Sequence, residues 1–358
     1  ADVARLDRAL RALAAALADT GPDRLPDIGA VWLTDEDVHL ILATPYEGEP
    51  PRPFVTEDGN TWTLPGDAAL PDLRGVVSPL PALATVGTEP GRHLLVDLER
   101  VGMATITGAP ERALDLLRYL VAELAHNTWS DLVEVTLVGF DPGEATQLVA
   151  LNPARVRAAT DLDEAVNALR RRLAHTGSAL ERHQLVDAMH GRVSDTATDT
   201  WIPQLLLIAD PGPEHDRTLT DLERTLIAVG RRSAVAVVTT SRPDSPYGAF
   251  PLTVTEDGRL RAGFLDASQD LPAAALPGHL LGALSDLIRD AASGEDHPIP
   301  PAQESWARGA DAAGGIVAEP TAPPAPRPGE PADWEEDDRS SGPALVTVSR
   351  PVCSANAR

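Results

Sequence analysis

Five residues in the middle of this chain have the types and places of a phosphate-binding site. They are Gly108, Ala109, Arg112, Asp210 and Thr240. The first two follow a short β-branched run and precede a helical pattern, so their backbone N–H groups could meet an anion at a helix start. The arginine could add positive charge, and the aspartate, which closes a later apolar run, could hold Mg²⁺ beside phosphates. The spacing therefore predicts a nucleotide-type site in vestigial form.

The glycine turn departs from the motif of a working P-loop, G-x-x-x-x-G-K-[ST], in which the lysine reaches the β- and γ-phosphates. All 30 basic residues are arginine, and no lysine occurs anywhere in the chain. Gly102 lies ahead of the apolar run rather than in the loop. Pro110 removes an N–H donor, and Glu111 places negative charge where an anion would bind. We predict an empty structural loop, ahead of weak nucleotide binding and, last, efficient ATP hydrolysis.

The two later polar residues also have two interpretations. Asp210 closes its run as a Walker B aspartate does, but Pro211 stands where an ATPase usually needs a second carboxylate. Thr240, between Thr239 and Ser241, occupies the place of a sensor residue, although hydroxyl groups at strand ends are common. We favour a polar strand end or turn cap for Asp210 over a Mg²⁺ ligand.

No other residues have the spacing of a catalytic or metal site. His183, Asp187 and His190 could share a helix face, but a zinc site needs tighter spacing and further partners. Cys353 is the only cysteine, and no G-x-S-x-G sequence occurs. We predict no catalytic residue, no metal and no cofactor, with ATP and Mg²⁺ as the weak alternative.

Two arginine runs, residues 170–172 and 231–232, fall where helical patterns are predicted to end. Positive charge is favourable there because of the helix dipole. A solvated helix end is the favoured interpretation, and an arginine finger is the alternative.

The first part of the chain predicts a small α+β unit. A helical pattern covers residues 2–18 and ends at Gly21 and Pro22. Strand-like runs follow at residues 29–33, 38–43, 53–55 and 61–64. Trp32 and Trp62 are predicted as core residues rather than ligand stackers, because a buried indole contributes much to a small core.

From about residue 80, strands and helices alternate. The predicted strands cover residues 83–86, 93–98, 103–107, 132–138, 204–209, 234–239, 251–255 and 260–264. One predicted helix begins at Pro110, and the others cover residues 161–173, 180–189, 219–229 and 280–288. Solidly apolar strands that alternate with helices indicate a mostly parallel sheet with helices on both faces.

Composition divides the chain into three predicted parts. Residues 1–78 form the small α+β unit, residues 79–293 the α/β domain, and residues 294–358 a tail rich in proline and acidic side chains. Such a tail buries too little apolar surface to order itself, so we predict a disordered linker. Within it, residues 344–348 alternate like a strand without a local partner.

Charge and composition exclude several classes of protein. The net charge of −24 argues against binding nucleic acid, which needs basic residues to displace counterions. No apolar run is long enough to span a membrane, and we find no signal peptide. A single cysteine favours a reducing cytoplasm. The chain begins with alanine inside a helical pattern, so we expect a segment of a longer protein.

The stretch at residues 230–243, GRRSAVAVVTTSRP, resembles the GRS-G-I-H-L-V-L-A-T-Q-R-P region of FtsK/SpoIIIE-type ATPases, including those of type VII secretion. The order of shortened P-loop, strand, helices and strand ending in Asp210 is similar too, over about residues 80–265. This resemblance implies a RecA-like P-loop NTPase fold.

A second resemblance is carried by residues 93–140, HLLVDLERVGMATITGAPERALDLLRYLVAELAHNTWSDLVEVTLVGF. They are similar to large actinobacterial membrane proteins that join transmembrane helices and a LysM module to a degenerate ATPase-like region and a bacterial transcriptional activator domain (BTAD). The resemblance implies a cytoplasmic middle section of such a regulator. Neither glycan nor DNA binding is thereby assigned to this chain.

The first functional prediction is a non-catalytic scaffold or signal-relay module, which acts on protein partners or on other domains of the same polypeptide. The alternative is a nucleotide-sensing switch that binds ATP or GTP without hydrolysis, with Arg112 in place of the lysine. A DNA-translocating motor is least favoured, because of the charge and the missing lysine.

Overall fold

A computed structural model describes residues 2–73, 75–263 and 271–293. The predicted linker at residues 294–358, with its strand-like run, lies outside the described residues. The helices are α1 (Val3–Leu17), α2 (Leu98–Val101), α3 (Pro110–His126), α4 (Pro142–Leu151), α5 (Leu162–His183), α6 (Ala188–Val193), α7 (Asp216–Val229) and α8 (Gly278–Ser293). The strands are β1 (Ile28–Thr34), β2 (Val38–Leu42), β3 (Val55–Thr56), β4 (Thr61–Leu64), β5 (Leu83–Glu89), β6 (Arg92–Asp97), β7 (Met103–Gly108), β8 (Glu134–Val138), β9 (Val156–Ala158), β10 (Gln204–Ile208), β11 (Val235–Thr240), β12 (Pro251–Val254), β13 (Arg259–Ala262) and β14 (Leu271–Pro272).

The first sheet is antiparallel, with its strands in the order β3-β4-β2-β1-β6-β5. The helix α1 packs its apolar stripe, which includes Leu6, Leu10 and Leu13, into the core beneath this sheet. Trp62 is fully buried and Trp32 is 7% exposed, so both are confirmed as core residues.

The first sheet extends further along the chain than the predicted boundary at residue 78. The hairpin β5–β6, which the sequence placed in the second part, pairs through β6 with β1, where Val31 lies opposite Leu95. At its outer edge β5 meets the residue that follows β14, with Gly87 opposite Ala273 in an isolated antiparallel bridge. The two sheets therefore meet along the outer edge of β5. The boundary between residues 78 and 79 remains a prediction.

The second sheet has the order β14-β13-β12-β7-β11-β10-β8-β9, and neighbouring strands from β12 to β9 are parallel. The helices α3, α4 and α8 pack on one face, and α5 and α7 on the other. Only β11 separates β7, which leads into the glycine turn, from β10, which precedes Asp210, as in RecA-like P-loop folds. The predicted fold class is confirmed.

Several helix predictions were wrong in position. The sequence missed α4, because only Leu148 and Leu151 of that helix are buried and the apolar stripe is short. The predicted helix at residues 161–173 continues to His183 and so includes the start of the one predicted at residues 180–189, whereas α6 begins only at Ala188. The arginine run at residues 170–172 therefore lies inside α5, not at its end.

The prediction of a solvated arginine at residue 232 was also wrong. The Arg232 side chain is 3% exposed, and its Nε donates to Asp97 Oδ2 at 2.7 Å. Its guanidinium also lies within 3.6 Å of Asp27 and 3.5 Å of Asp187, and it donates to the Ile28 carbonyl. One buried arginine thus ties the segment before β11 to the first sheet.

A second buried ion pair lies close by. Arg192 on α6 contacts both carboxylate oxygens of Glu99, at 2.7 and 2.9 Å, and the two side chains are 2% and 0% exposed. The same guanidinium donates to the carbonyls of Trp201 and Pro79. Paired and hydrogen-bonded in this way, the charges are compatible with burial.

Candidate functional site

The turn after β7 is closed by the neighbouring strand. Gly108 has φ +103°, and a Cβ placed there would lie 2.1 Å from the carbonyl oxygen of Val254 on β12. Only glycine combines this backbone conformation with so close an approach. The glycine that the sequence assigned to a phosphate loop therefore lets β12 pack against the turn.

The amide of Ala109 is already used within the protein. Its N–H donates to the same Val254 carbonyl at 2.9 Å. The next residue, Pro110, is the first residue of α3 and has no N–H to offer. Two consecutive positions that would face a phosphate in a P-loop thus present no free donor.

Arg112 has a partner on its own helix. Its guanidinium lies 3.4 Å from Asp115 Oδ2, and its side chain is 48% exposed. Asp115 also binds Arg118 at 2.8 Å, and Arg118 in turn pairs with Glu144 on α4. Arg112 is therefore the solvent-facing end of a charged row that joins α3 to α4.

Two of the predicted residues do meet. The Asp210 N–H donates to Thr240 Oγ1 at 2.8 Å, which links the ends of β10 and β11. Asp210 has φ +42°, a left-handed conformation that aspartate tolerates better than most residues. Thr240 pairs with Ile106 on β7, so this link lies at the same edge of the sheet as Gly108. The contact uses the backbone N–H of Asp210 and not its carboxylate, so the polar strand end or turn cap stays a prediction for that side chain.

A cleft of about 600 Å³ opens at this edge, between the ends of β8 and β10 and the start of α5. Its lining carries four carboxyl groups, those of Asp161, Asp163, Asp210 and Glu214. Asp161 caps α5 by accepting from the Glu164 N–H at 3.0 Å. Negative charge at this density disfavours a phosphate. No group of three metal-binding side chains is found among the described residues.

Arg242 is a residue of this edge that the site prediction omitted. Its Nη2 contacts both Asp216 carboxylate oxygens at 2.9 Å, and its Nη1 donates to the Pro211 carbonyl at 2.6 Å. The hydrogen bonds that Arg242 donates to Asp216 are the main cause that raises the pKa of Arg242. The arginine fixes the loop after β10, and its only sequence signal was the resemblance of residues 230–243.

In the described part of the chain, the helices are all too short or too polar to cross a membrane. No protein-family model matches the chain, and no curated protein sequence matches it either.

Solved structures that match the chain include two ATPases and a conjugation coupling protein. The cytoplasmic domain of the type VII secretion ATPase EccC from Thermomonospora curvata is 17% identical, with a TM-score of 0.42 over 58% of this chain and 30% of that one. The pCW3 conjugation coupling protein TcpA, a monomer with ATPγS, is 13% identical, with a TM-score of 0.41 over 79% and 99%. EssC (ATPases 2 and 3) from Geobacillus thermodenitrificans is 10% identical, with a TM-score of 0.42 over 63% and 53%.

The chain thus spans less than a third of the EccC structure and about half of the EssC structure. Likeness at this level concerns the arrangement of strands and helices alone and extends to no activity, substrate or partner.

Proposed function

We propose that this chain is a nucleotide-independent scaffold or signal-relay module of a larger regulatory protein, built on a P-loop-type fold that has lost its Walker A lysine. One observation carries the proposal: the Val254 carbonyl packs on Gly108 and accepts the Ala109 N–H at 2.9 Å. The backbone that a P-loop offers to phosphates is here part of the sheet.

Two further observations support this function. Arg112, the basic residue that follows the turn in sequence, is paired with Asp115, and the chain contains no lysine that could take its place. The cleft at the same edge of the sheet, between the ends of β8 and β10, is lined by carboxylates, so a phosphate there would meet like charge. Such a module would act through its surfaces, on protein partners or on neighbouring domains.

The larger protein that we infer is of the LysM and transcriptional activator type that residues 93–140 resemble. The coding sequence beyond both ends of this segment tests that inference. One reading frame that continues into both domains supports it, and a frame bounded by residues 1 and 358 contradicts it.

We expect nucleotides to leave the melting temperature unchanged. A site with Kd near 0.1 mM would gain about 2.3 kcal/mol from about 5 mM ligand, which would raise Tm by roughly 5 °C. For the purified chain with ATP, GTP or their diphosphates, with and without Mg²⁺, we expect a shift below about 1 °C. Differential scanning fluorimetry makes this measurement.

The alternative, a nucleotide-sensing switch, predicts a different set of results. ATP would raise Tm in the wild type and in Arg224→Ala, which removes an exposed arginine on α7, but not in Arg112→Ala. That outcome would replace the scaffold with the switch. Steady ATP turnover that Asp210→Ala abolishes would reject both, and the motor would then be reconsidered.

A further inference from the structure

One carboxyl group joins α3 to the first sheet. Glu123, near the end of α3, accepts a hydrogen bond from the Thr85 N–H through Oε2, at 2.6 Å. Its Oε1 lies 2.5 Å from the Thr85 hydroxyl oxygen. The contact is remote from the glycine turn and plays no part in the proposed function.

The position of Thr85 explains why a carboxyl group is needed there. The strand β5 is the outermost of its sheet, and its pairing with β6 changes register between Thr85 and Gly87. On the outer side of β5 the pairing with the chain at Ala273 begins only at Gly87, so the Thr85 amide needs another acceptor, and an unpaired buried N–H is costly. Thr85 is only 4% exposed, so Glu123 supplies the acceptor that water cannot.

The surroundings of this carboxyl group favour its neutral form. Burial raises the pKa of Glu123 to about 7, although the two bonds from Thr85 oppose the rise. Tyr119, one turn earlier on α3, stays neutral because burial, with the Glu123 charge, raises its pKa to about 12. Across the described residues, no arginine or histidine of a neighbouring element influences the pKa of Glu123.

We propose that Glu123 and Thr85 form a proton-sensitive latch between α3 and the first sheet, which is tightest when the carboxyl group carries a proton. In the protonated form, Oε1–H donates to the Thr85 hydroxyl while Oε2 still accepts the amide. In the ionised form both bonds remain, but a partly buried charge loses some of its hydration. Opening exposes the carboxyl group, which then releases its proton above its ordinary pKa.

The sign and size of the effect follow from linkage. Because the closed form has the higher pKa, its advantage is complete below the ordinary pKa of glutamate and declines as the pH rises through about 7. Between pH 6 and pH 8, the ratio of closed to open latch is expected to fall about tenfold.

Hydrogen exchange of the β5 amides in the full chain tests the latch. After correction for intrinsic exchange, opening in the wild type should rise about tenfold from pH 6 to pH 8. Glu123→Gln keeps both hydrogen bonds in a permanently neutral side chain, so its opening should not change with pH. Glu111→Gln, on the exposed start of the same helix, should respond to pH as the wild type does.

Equal pH responses in the wild type and in Glu123→Gln would overturn the latch. If the variant does not fold, the latch is tested in the wild type by an NMR titration that follows the chemical shift of the Thr85 amide with pH. A midpoint near pH 7 supports the proposal, and a midpoint below pH 5, or none, overturns it. The indole N–H of Trp129, which donates to the Leu83 carbonyl at 2.9 Å, gives a second reporter of β5 docking.

Discussion

Arg232→Ala is expected to lower the free energy of unfolding by about 3–5 kcal/mol. The substitution leaves the Asp97 carboxylate, which is 0% exposed, without the cation that lies 2.7 Å from it. It also removes the cation near Asp27 and Asp187 and the donor to the Ile28 carbonyl. Because Arg232 precedes β11 in the second sheet while Asp97 and Ile28 belong to the first, the lower free energy of unfolding should appear in one cooperative unfolding transition.

Urea denaturation of matched variants checks this effect. Arg231→Ala removes an exposed neighbour that makes one bond to the Val186 carbonyl at 3.2 Å, and should cost less than about 0.5 kcal/mol. Arg232→Met combined with Asp97→Asn should recover part of the loss, because the fully buried Asp97 charge is then absent. Similar stabilities for Arg231→Ala and Arg232→Ala would contradict the buried ion pair.

Gly108→Ala is expected to cost at least about 3 kcal/mol. An L-residue is strained at φ +103°, and its Cβ would overlap the Val254 carbonyl, which is backbone and cannot turn aside. The displaced carbonyl would also lose the Ala109 N–H. The variant should therefore separate β12 from β7, which thermal melts and hydrogen exchange of β12 would detect.

Gly258→Ala separates backbone strain from steric overlap. Gly258 has φ +78° but no atom within 4 Å of an added Cβ, so its substitution should cost only about 1–2 kcal/mol. The difference between the two variants measures the contact of β12 with the glycine turn. If Gly108→Ala were no worse than Gly258→Ala, the turn would be open to solvent, and the main support for the scaffold would be lost.

Secondary structure was predicted best for elements whose burial pattern is visible within their own residues. The central strands β7, β8, β10 and β11 are mostly apolar and were predicted within a few residues, because burial on both faces favours such a pattern. The short strands β9 and β14 were missed. The helix α4 was missed because it buries little, although Asp141, Pro142 and Glu144 have the types and order of a helix start.

The site could be predicted only in part for a related reason. Parallel strands end at one edge, so Asp210 and Thr240 could be expected to lie together. The Val254 carbonyl that occupies the glycine turn comes from β12, far along the chain. Arg232 and Asp97 are 135 residues apart, and no local pattern predicts such a partner. The contacts that close the turn and that pair the buried charges join residues far apart in the sequence, so only the tertiary structure shows them.

The pairing of Gly87 with Ala273 at the side shared by the two sheets also orders events during synthesis. The outer edge of β5 is complete only when Ala274 donates to the Val86 carbonyl, at 3.0 Å. At about 5–20 residues per second, a ribosome needs roughly 10–40 s to travel from the first of these residues to the last. Throughout that interval the nascent β5 has an open edge, available to any other extended chain nearby.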